Sequence, residues 1–250
     1  MADEVLVERR DRVMLITLNR PEARNAVNTA LAQGLSAAIE ELDSDAGLTA
    51  GVLTGAGKGF SAGMDLKAFA TEGPPVGFDT FLKHGAKKPL IAAIEGFALA
   101  GGLEIALSCD LLVAAKGVRF GIPEVGVGLF AAGGAMMRLP RVVPYGVAME
   151  MALTGDPISV EKAHEYGLVS RISEVGEAAE EAIKLATRIA QNAPLGVAVS
   201  KKMIVESFGR TEEEFWKHQN KHTASIFASD DAKEGPRAFA EKRAPKWSGT

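Results

Sequence analysis

Between Pro89 and Ala115 the chain is apolar almost without relief, yet it carries Glu95, Glu104 and Asp110. The run is too long for a single strand, and its acidic residues argue against a bilayer span. It therefore has to fold back on itself inside a protein core. The local pattern predicts a strand at Leu90–Ile94, a helix at about Gly101–Ser108 and another strand at Leu111–Ala115. A helix cut from FALAGGLEIALS should be buried nearly all round.

The segments before this run alternate in type. Val13–Asn19 reads as a strand, Thr29–Leu42 as an amphipathic helix with Leu31, Leu35, Ile39 and Leu42 on one side, and Ala50–Thr54 as a strand. Alternation of this kind predicts an α/β fold. Beyond about residue 175 the strand signals stop, and helical stretches follow at roughly 177–191, 194–207 and 211–228, read as a helical appendage. The loop 71–78, TEGPPVGF, is rich in Pro and Gly and is a candidate active-site flap.

The net charge of -4 argues against nucleic acid as a partner. The N-terminal segment has no cationic stretch leading into an apolar run, so a cytoplasmic protein without a membrane partner is expected. The single cysteine, Cys109, reads as a small buried hydrophobe.

Two carboxylates break the local rules. Burying an unpaired ionised group costs several kcal/mol, so Glu104 should be paired, protonated or functional. A buried glutamate capping a backbone amide is the bland alternative. Glu124 is the only charge between Arg119 and Arg138, and Pro123 puts it on a turn or loop rather than in mid-helix. Two isolated carboxylates in apolar settings suit general acid/base chemistry, which needs groups with tuned protonation. Ala100-Gly101-Gly102 opens the helix carrying Glu104, exposing unsatisfied amides that a substrate oxygen can approach. Gly59-Phe-Ser-Ala-Gly-Met-Asp65 is a second glycine-containing bend, able to supply the opposing donor of an oxyanion hole.

Phe60-Ser-Ala-Gly-Met-Asp-Leu-Lys67, Ala98-Leu-Ala-Gly-Gly-Leu-Glu104 and Phe120-Gly-Ile-Pro-Glu124, in this order and with Cys109-Asp110 between the last two, resemble the successive motifs of the crotonase superfamily. Flanking matches such as Asn19-Arg-Pro, Arg138-Leu-Pro and Ala163–Val169 extend the resemblance over nearly the whole chain. It implies an α/β spiral of ββα units over 1–190, a helical oligomerisation region over 191–250, and a homotrimer or a hexamer made of two trimers.

The same resemblance implies an enoyl-CoA hydratase. It assigns the oxyanion amides to Met64 and Gly101 and the catalytic pair to Glu104 and Glu124. Substrate and CoA contacts are implied at the backbone around Ala23, Arg24 and Asn25 for the adenine, at Asp65, Leu66 and Lys67 for the pantetheine region, and at Ala62 and Phe130. The substrate is an acyl-CoA, and no separate cofactor is implied, because coenzyme A is part of it. Isomerase and other branches often lack one of the two glutamates. Ala100 and Phe130-Ala-Ala-Gly-Gly134 depart from the family pattern near the acyl pocket, and Asp231–Trp247 looks like the C-terminus of crotonobetainyl-CoA hydratases, which raises a branched or polar acyl group.

Other classes have weaker signals. Gly59-Phe-Ser-Ala-Gly63 fits the G-x-S-x-G elbow of serine hydrolases, with Ser61 as nucleophile, but no HGGG-like segment lies upstream. His218-Gln-Asn-Lys-His222 lacks the glutamate of HExxH and a third ligand, so no metal is expected. Some crotonase relatives bind RNA, but Glu40, Glu41, Asp43 and Asp45 make the corresponding region acidic.

Overall fold

Strands buried on both faces read as near-continuous apolar runs, because helices cover a parallel sheet above and below. The computed structural model, which describes residues 3–250, has this arrangement. Met1 and Ala2, with which the N-terminal segment read above begins, lie outside the described residues. β1 (Val5–Arg10) and β2 (Val13–Leu18) form an antiparallel hairpin. β3 (Ala50–Gly55), β4 (Leu90–Ile94), β6 (Leu111–Ala115) and β9 (Arg171–Ser173) extend it in parallel, in the order β1-β2-β3-β4-β6-β9. β1 escaped the sequence reading because it is an edge strand with mostly exposed residues.

A second sheet is built from very short strands. β5 (Phe97–Leu99) pairs in parallel with β7 (Arg119–Gly121), and β7 pairs antiparallel with β8 (Ile158–Ser159). The register sets Leu99 opposite Gly121. A parallel bridge from Ser61 to Ala98 adds the 59–64 bend beside β5.

α1 (Thr29–Ser44) starts at Asn28, whose side chain accepts from Leu31 N, and buries Leu31, Leu35, Ile39 and Leu42 as the pattern predicts. α2 (Leu66–Glu72) and α3 (Phe78–His84) flank the Pro- and Gly-containing segment read as a flap. α4 (Gly101–Leu107) follows β5 and is buried along its whole length, Glu104 included. α5 (Ala135–Val142), α6 (Tyr145–Thr154) and α7 (Val160–Glu165) lead to β9.

α8 (Ala178–Ala190) falls within the 1–190 span that the resemblance gives to the core, although the end of the strand signals groups it with the helices that follow. Its alanines at 178, 182, 186 and 190 form a flat buried stripe laid against β3, β4 and β6, so it belongs to the core rather than to the appendage. The appendage consists of α9 (Pro194–Ser207), α10 (Glu212–Ala228) and α11 (Asp230–Ala240), of which the last was not expected. α11 carries Gly235 and Pro236, which obscure a helical pattern. Its buried Asp231 and Glu234 hold the chain that follows. Asp231 accepts from Ser248 N at 2.7 Å, and Glu234 accepts from Arg243 Nη1 at 2.6 Å and Lys246 N at 2.8 Å. Trp247 Nε1 donates to Gln191 O at 2.8 Å, closing the tail back onto the end of α8. The result is the α/β spiral with C-terminal helices that the motifs imply. Among the described residues no helix is long and apolar enough to cross a membrane.

Candidate active site

The strand pair β5–β7 brings the two unusual carboxylates together. Glu104 lies one turn into the helix that follows β5, and Glu124 lies in the short 3₁₀ turn Pro123–Val127 that follows β7. Because the strands are parallel and in register, the segments leaving them emerge side by side. Both glutamates line one cavity of about 620 Å³, together with Met64 and Gly101.

The amides of Met64 and Gly101 lack acceptors among the described residues. Val27 N donates to Gly63 O and Asp65 N donates to Val27 O, which leaves Met64 N outside the bridge that fixes its backbone. Gly101 N belongs to the first turn of α4, where no preceding carbonyl can reach it. The approach of the two segments requires a glycine at position 63. Gly63 has φ +90, and a Cβ there would fall 2.7 Å from Gly101 N. Two free donors at a closely packed corner form the geometry of an oxyanion hole.

Ala100, immediately before the second donor, has φ 51 and ψ −130, a conformation that suits glycine. The strain of such a residue is about 1–3 kcal/mol, partly offset by the lower flexibility of alanine in the unfolded chain. Ala100→Gly is expected to raise the thermal midpoint by about 2–4 °C per kcal/mol gained, and a lowered midpoint in a thermal melt would refute the strain.

The glutamates have different surroundings. Glu104 Oε1 accepts from Ala135 N at 3.1 Å, and the Gly133 amide also faces the carboxylate. A side chain at Gly133 would displace the Glu104 carboxylate, because a Cβ there would stand 2.5 Å from Glu104 Oε2. Burial pushes the Glu104 carboxyl above its ordinary range, while these amides and the nearby Arg138 charge pull it back. Glu104 thus satisfies both sequence readings, since it is a buried glutamate on backbone amides and also faces the cavity. Glu124 is half-buried, and its Oε2 is buried with no hydrogen-bond partner among the described residues. Burial raises its affinity for a proton, its own backbone amide opposes this, and the negative charge of Glu104 adds to the rise. Both carboxyls are pushed up by burial; Glu104 has amide donors and a nearby cation that favour its ionised form, whereas at Glu124 the charge of Glu104 adds to the rise.

The remaining cavity wall is largely apolar. Phe78 and Leu82 come from α3, Leu129 and Phe130 follow the Glu124 turn, and Pro74 and Pro75 come from the predicted flap. Ala62 and Leu66 also line the cavity, as the motifs imply. Ala23, Arg24, Asn25, Asp65 and Lys67 do not. The Asn25 side chain is fully buried, where it accepts from Arg20 N and donates to Ala56 O and Gly59 O, each at 2.9 Å. Asp65 caps α2 through Lys67 N and Ala68 N and pairs with Arg20 at 3.1 Å. These two side chains build the frame beside the cavity. None of the Asp231–Trp247 stretch lines the cavity of this chain, and its acidic pair clasps the C-terminal tail.

The rival chemistries find no support. Ser61 is fully buried, donates to Asn25 O at 2.8 Å and accepts from Gly63 N at 3.1 Å, so its hydroxyl fastens a bend instead of facing a substrate. His164 Nδ1 is engaged with Val169 O at 2.8 Å. His218 and His222 stack edge to face with ring centres 5.4 Å apart, and no metal-binding group of acidic, histidine or cysteine residues occurs among the described residues. Cys109 is half-buried, and burial raises its thiol far above the reactive range.

Known proteins match this chain over nearly its whole length. The sequence profile of the family described as Enoyl-CoA hydratase/isomerase matches residues 8–250. Enoyl-CoA hydratase EchA19 of Mycobacterium tuberculosis is 42% identical, over 98% of this chain and 96% of the relative. Among solved structures, an enoyl-CoA hydratase from Mycobacterium tuberculosis superposes with a TM-score of 0.94 at 52% identity, over 99% of this chain and 100% of that one. Enoyl-CoA hydratase EchA1 from Mycobacterium marinum gives a TM-score of 0.94 at 53% identity, again over 99% and 100%.

Proposed function

The chain belongs to the enoyl-CoA hydratase/isomerase family, and from that premise we propose how its cavity performs the reversible addition of water to a 2-enoyl-CoA thioester. The activity is that of an enoyl-CoA hydratase. The observation that carries the mechanism is one cavity holding two free amide donors and two carboxyls in unlike environments.

The thioester carbonyl oxygen accepts from Met64 N and Gly101 N, which draws electron density from C3 and stabilises the enolate that forms on attack. A water lies between the glutamates. Ionised Glu104 takes one proton from it as its oxygen bonds to C3, and the C2–C3 π electrons move into the enolate. Glu124 then delivers its proton to C2, the enolate collapses, and the 3-hydroxyacyl thioester is complete. Return of the proton from Glu104 to Glu124 through solvent resets the pair. Dehydration runs through the same groups in reverse.

The apolar wall of Phe78, Leu82, Leu129 and Phe130 suits a hydrocarbon acyl chain. Coenzyme A is carried as part of the substrate, and no separate cofactor takes part. Backbone at 23–25 and 65–67 borders the route by which the CoA moiety leaves the cavity. Exposed Ile204, Val205, Phe208 and Phe227 on and beside α9 and α10 favour burial between copies, consistent with a trimer or a pair of trimers in the cytoplasm.

The direct test supplies the purified protein with 2-enoyl-CoA thioesters of increasing chain length and follows the enoyl absorbance. It should fall as the 3-hydroxyacyl product accumulates. Conversion of 3-enoyl to 2-enoyl thioesters without any hydration would instead identify an isomerase.

A further inference from the structure

Glu104 can hold a water only if its carboxylate keeps one orientation, and the amides that fix it belong to a glycine-containing segment, 130–135, that needs support of its own. Arg138, one turn into α5, supplies that support. Its Nη1 donates to Gly133 O at 3.3 Å, and its Nη2 donates to Leu82 O in the last turn of α3. The second contact shares, with the Ser108 hydroxyl at 3.4 Å, a carbonyl that the end of a helix leaves open. The first grips the residue whose amide faces Glu104. A side chain at Gly134 would collide with this guanidinium, as a Cβ there would fall 2.3 Å from Nη1.

We infer that Arg138 is a positioning residue for the hydration reaction: its two arms tie the acyl-pocket wall at Leu82 to the Gly133 segment, and its charge faces Glu104. The inference rests on the role proposed above for Glu104. Among the charged groups of the elements packed against α4, α3 contributes Asp79, Lys83 and His84, α5 contributes Arg138 and Arg141, and the turn after β7 contributes Glu124. Glu104 is coupled electrostatically to Arg138 and to Glu124 within this set. The arginine favours the ionised carboxylate, opposing the desolvation that burial imposes. A planar fork is suited to this place because one donor pair must span two carbonyls while the charge stays near a third group.

The test compares Arg138→Gln and Arg138→Lys in the complete protein, with Glu104→Gln as reference, by pH profiles of kcat and kcat/KM and by thermal melts. Arg138→Gln removes the charge, so the acidic limb of kcat/KM should move up by about one pH unit, with kcat at its optimum lowered on the order of tenfold and KM little changed. Arg138→Lys keeps the charge and loses the fork, so the limb should stay in place while kcat falls. A limb unmoved in Arg138→Gln, or moved equally in both variants, overturns the role and leaves Arg138 as a cap on α3. If this happens while Glu104→Gln is inactive, the hydratase site stands without Arg138. A fully active Glu104→Gln overturns both.

Discussion

Glu124→Gln is expected to lower turnover of a short 2-enoyl-CoA by more than about 100-fold while leaving CoA binding nearly unchanged. Glutamine has almost the shape of glutamic acid and still donates and accepts hydrogen bonds, but it has no acidic proton to transfer to C2. The turn that carries it should survive, because Leu129 N is held by the backbone oxygen of residue 124 at 3.0 Å. The pH profile provides a second readout. In the hydration direction Glu124 acts protonated, and both burial and the charge of Glu104 raise its affinity for the proton, so activity is lost as pH rises through that raised value. The basic limb therefore belongs to Glu124 and should be absent from the residual activity of the variant. Turnover equal to the unsubstituted protein would remove Glu124 from the reaction.

The two glutamates were legible in the sequence because each interrupts an apolar pattern at an energetic cost. What joins them was not. β5 and β7 are only Phe97–Leu99 and Arg119–Gly121, too short for any alternation to register, yet their parallel pairing is the reason the carboxylates share a cavity. The partners of Glu104 were hidden in a different way. Gly133 and Ala135 act through backbone amides, which no side-chain pattern reveals, although the Gly133-Gly134 pair was visible as a feature without a role.

The hydrolase-like signal at Ser61 shows the opposite error. A five-residue pattern specifies a bend, and the same bend that exposes a serine in one fold buries it in another. Here Ser61 Oγ lies between Asn25 O and Gly63 N. The strand signals alone group α8 with the helices that follow, whereas the motif likeness includes it in the core; alanine at every fourth position suits both an exposed face and a flat packing face, so the pattern by itself does not choose. Residues 23–25 and 65–67 divide along a similar line. Motif likeness implies CoA contacts through the backbone at 23–25, and the side chains of Asn25 and Asp65 are engaged in holding the loops together.

Met64→Pro should reduce turnover by about 100- to 1,000-fold, the usual consequence of deleting one oxyanion donor, whereas Met64→Leu should leave it within a few-fold. Proline removes an N–H that makes no bond within the fold, and Met64→Leu controls for the loss of the side chain. The bridge between 27 and 64 is made by Val27 N to Gly63 O and by Asp65 N to Val27 O, so no ladder bond depends on Met64 N. The preceding residue is Gly63, which tolerates the restriction that proline imposes better than any residue with a side chain. The loss should fall on kcat and kcat/KM together, since the donor strengthens its bond as charge develops on the oxygen and contributes little to the ground state. A similar loss in Met64→Leu would mean that the side chain, which lines the cavity, is what matters. Retained turnover in Met64→Pro would leave Gly101 N as the sole donor, and a hole with one amide is a weaker explanation for enolate chemistry than the paired donors that Gly63 allows to meet.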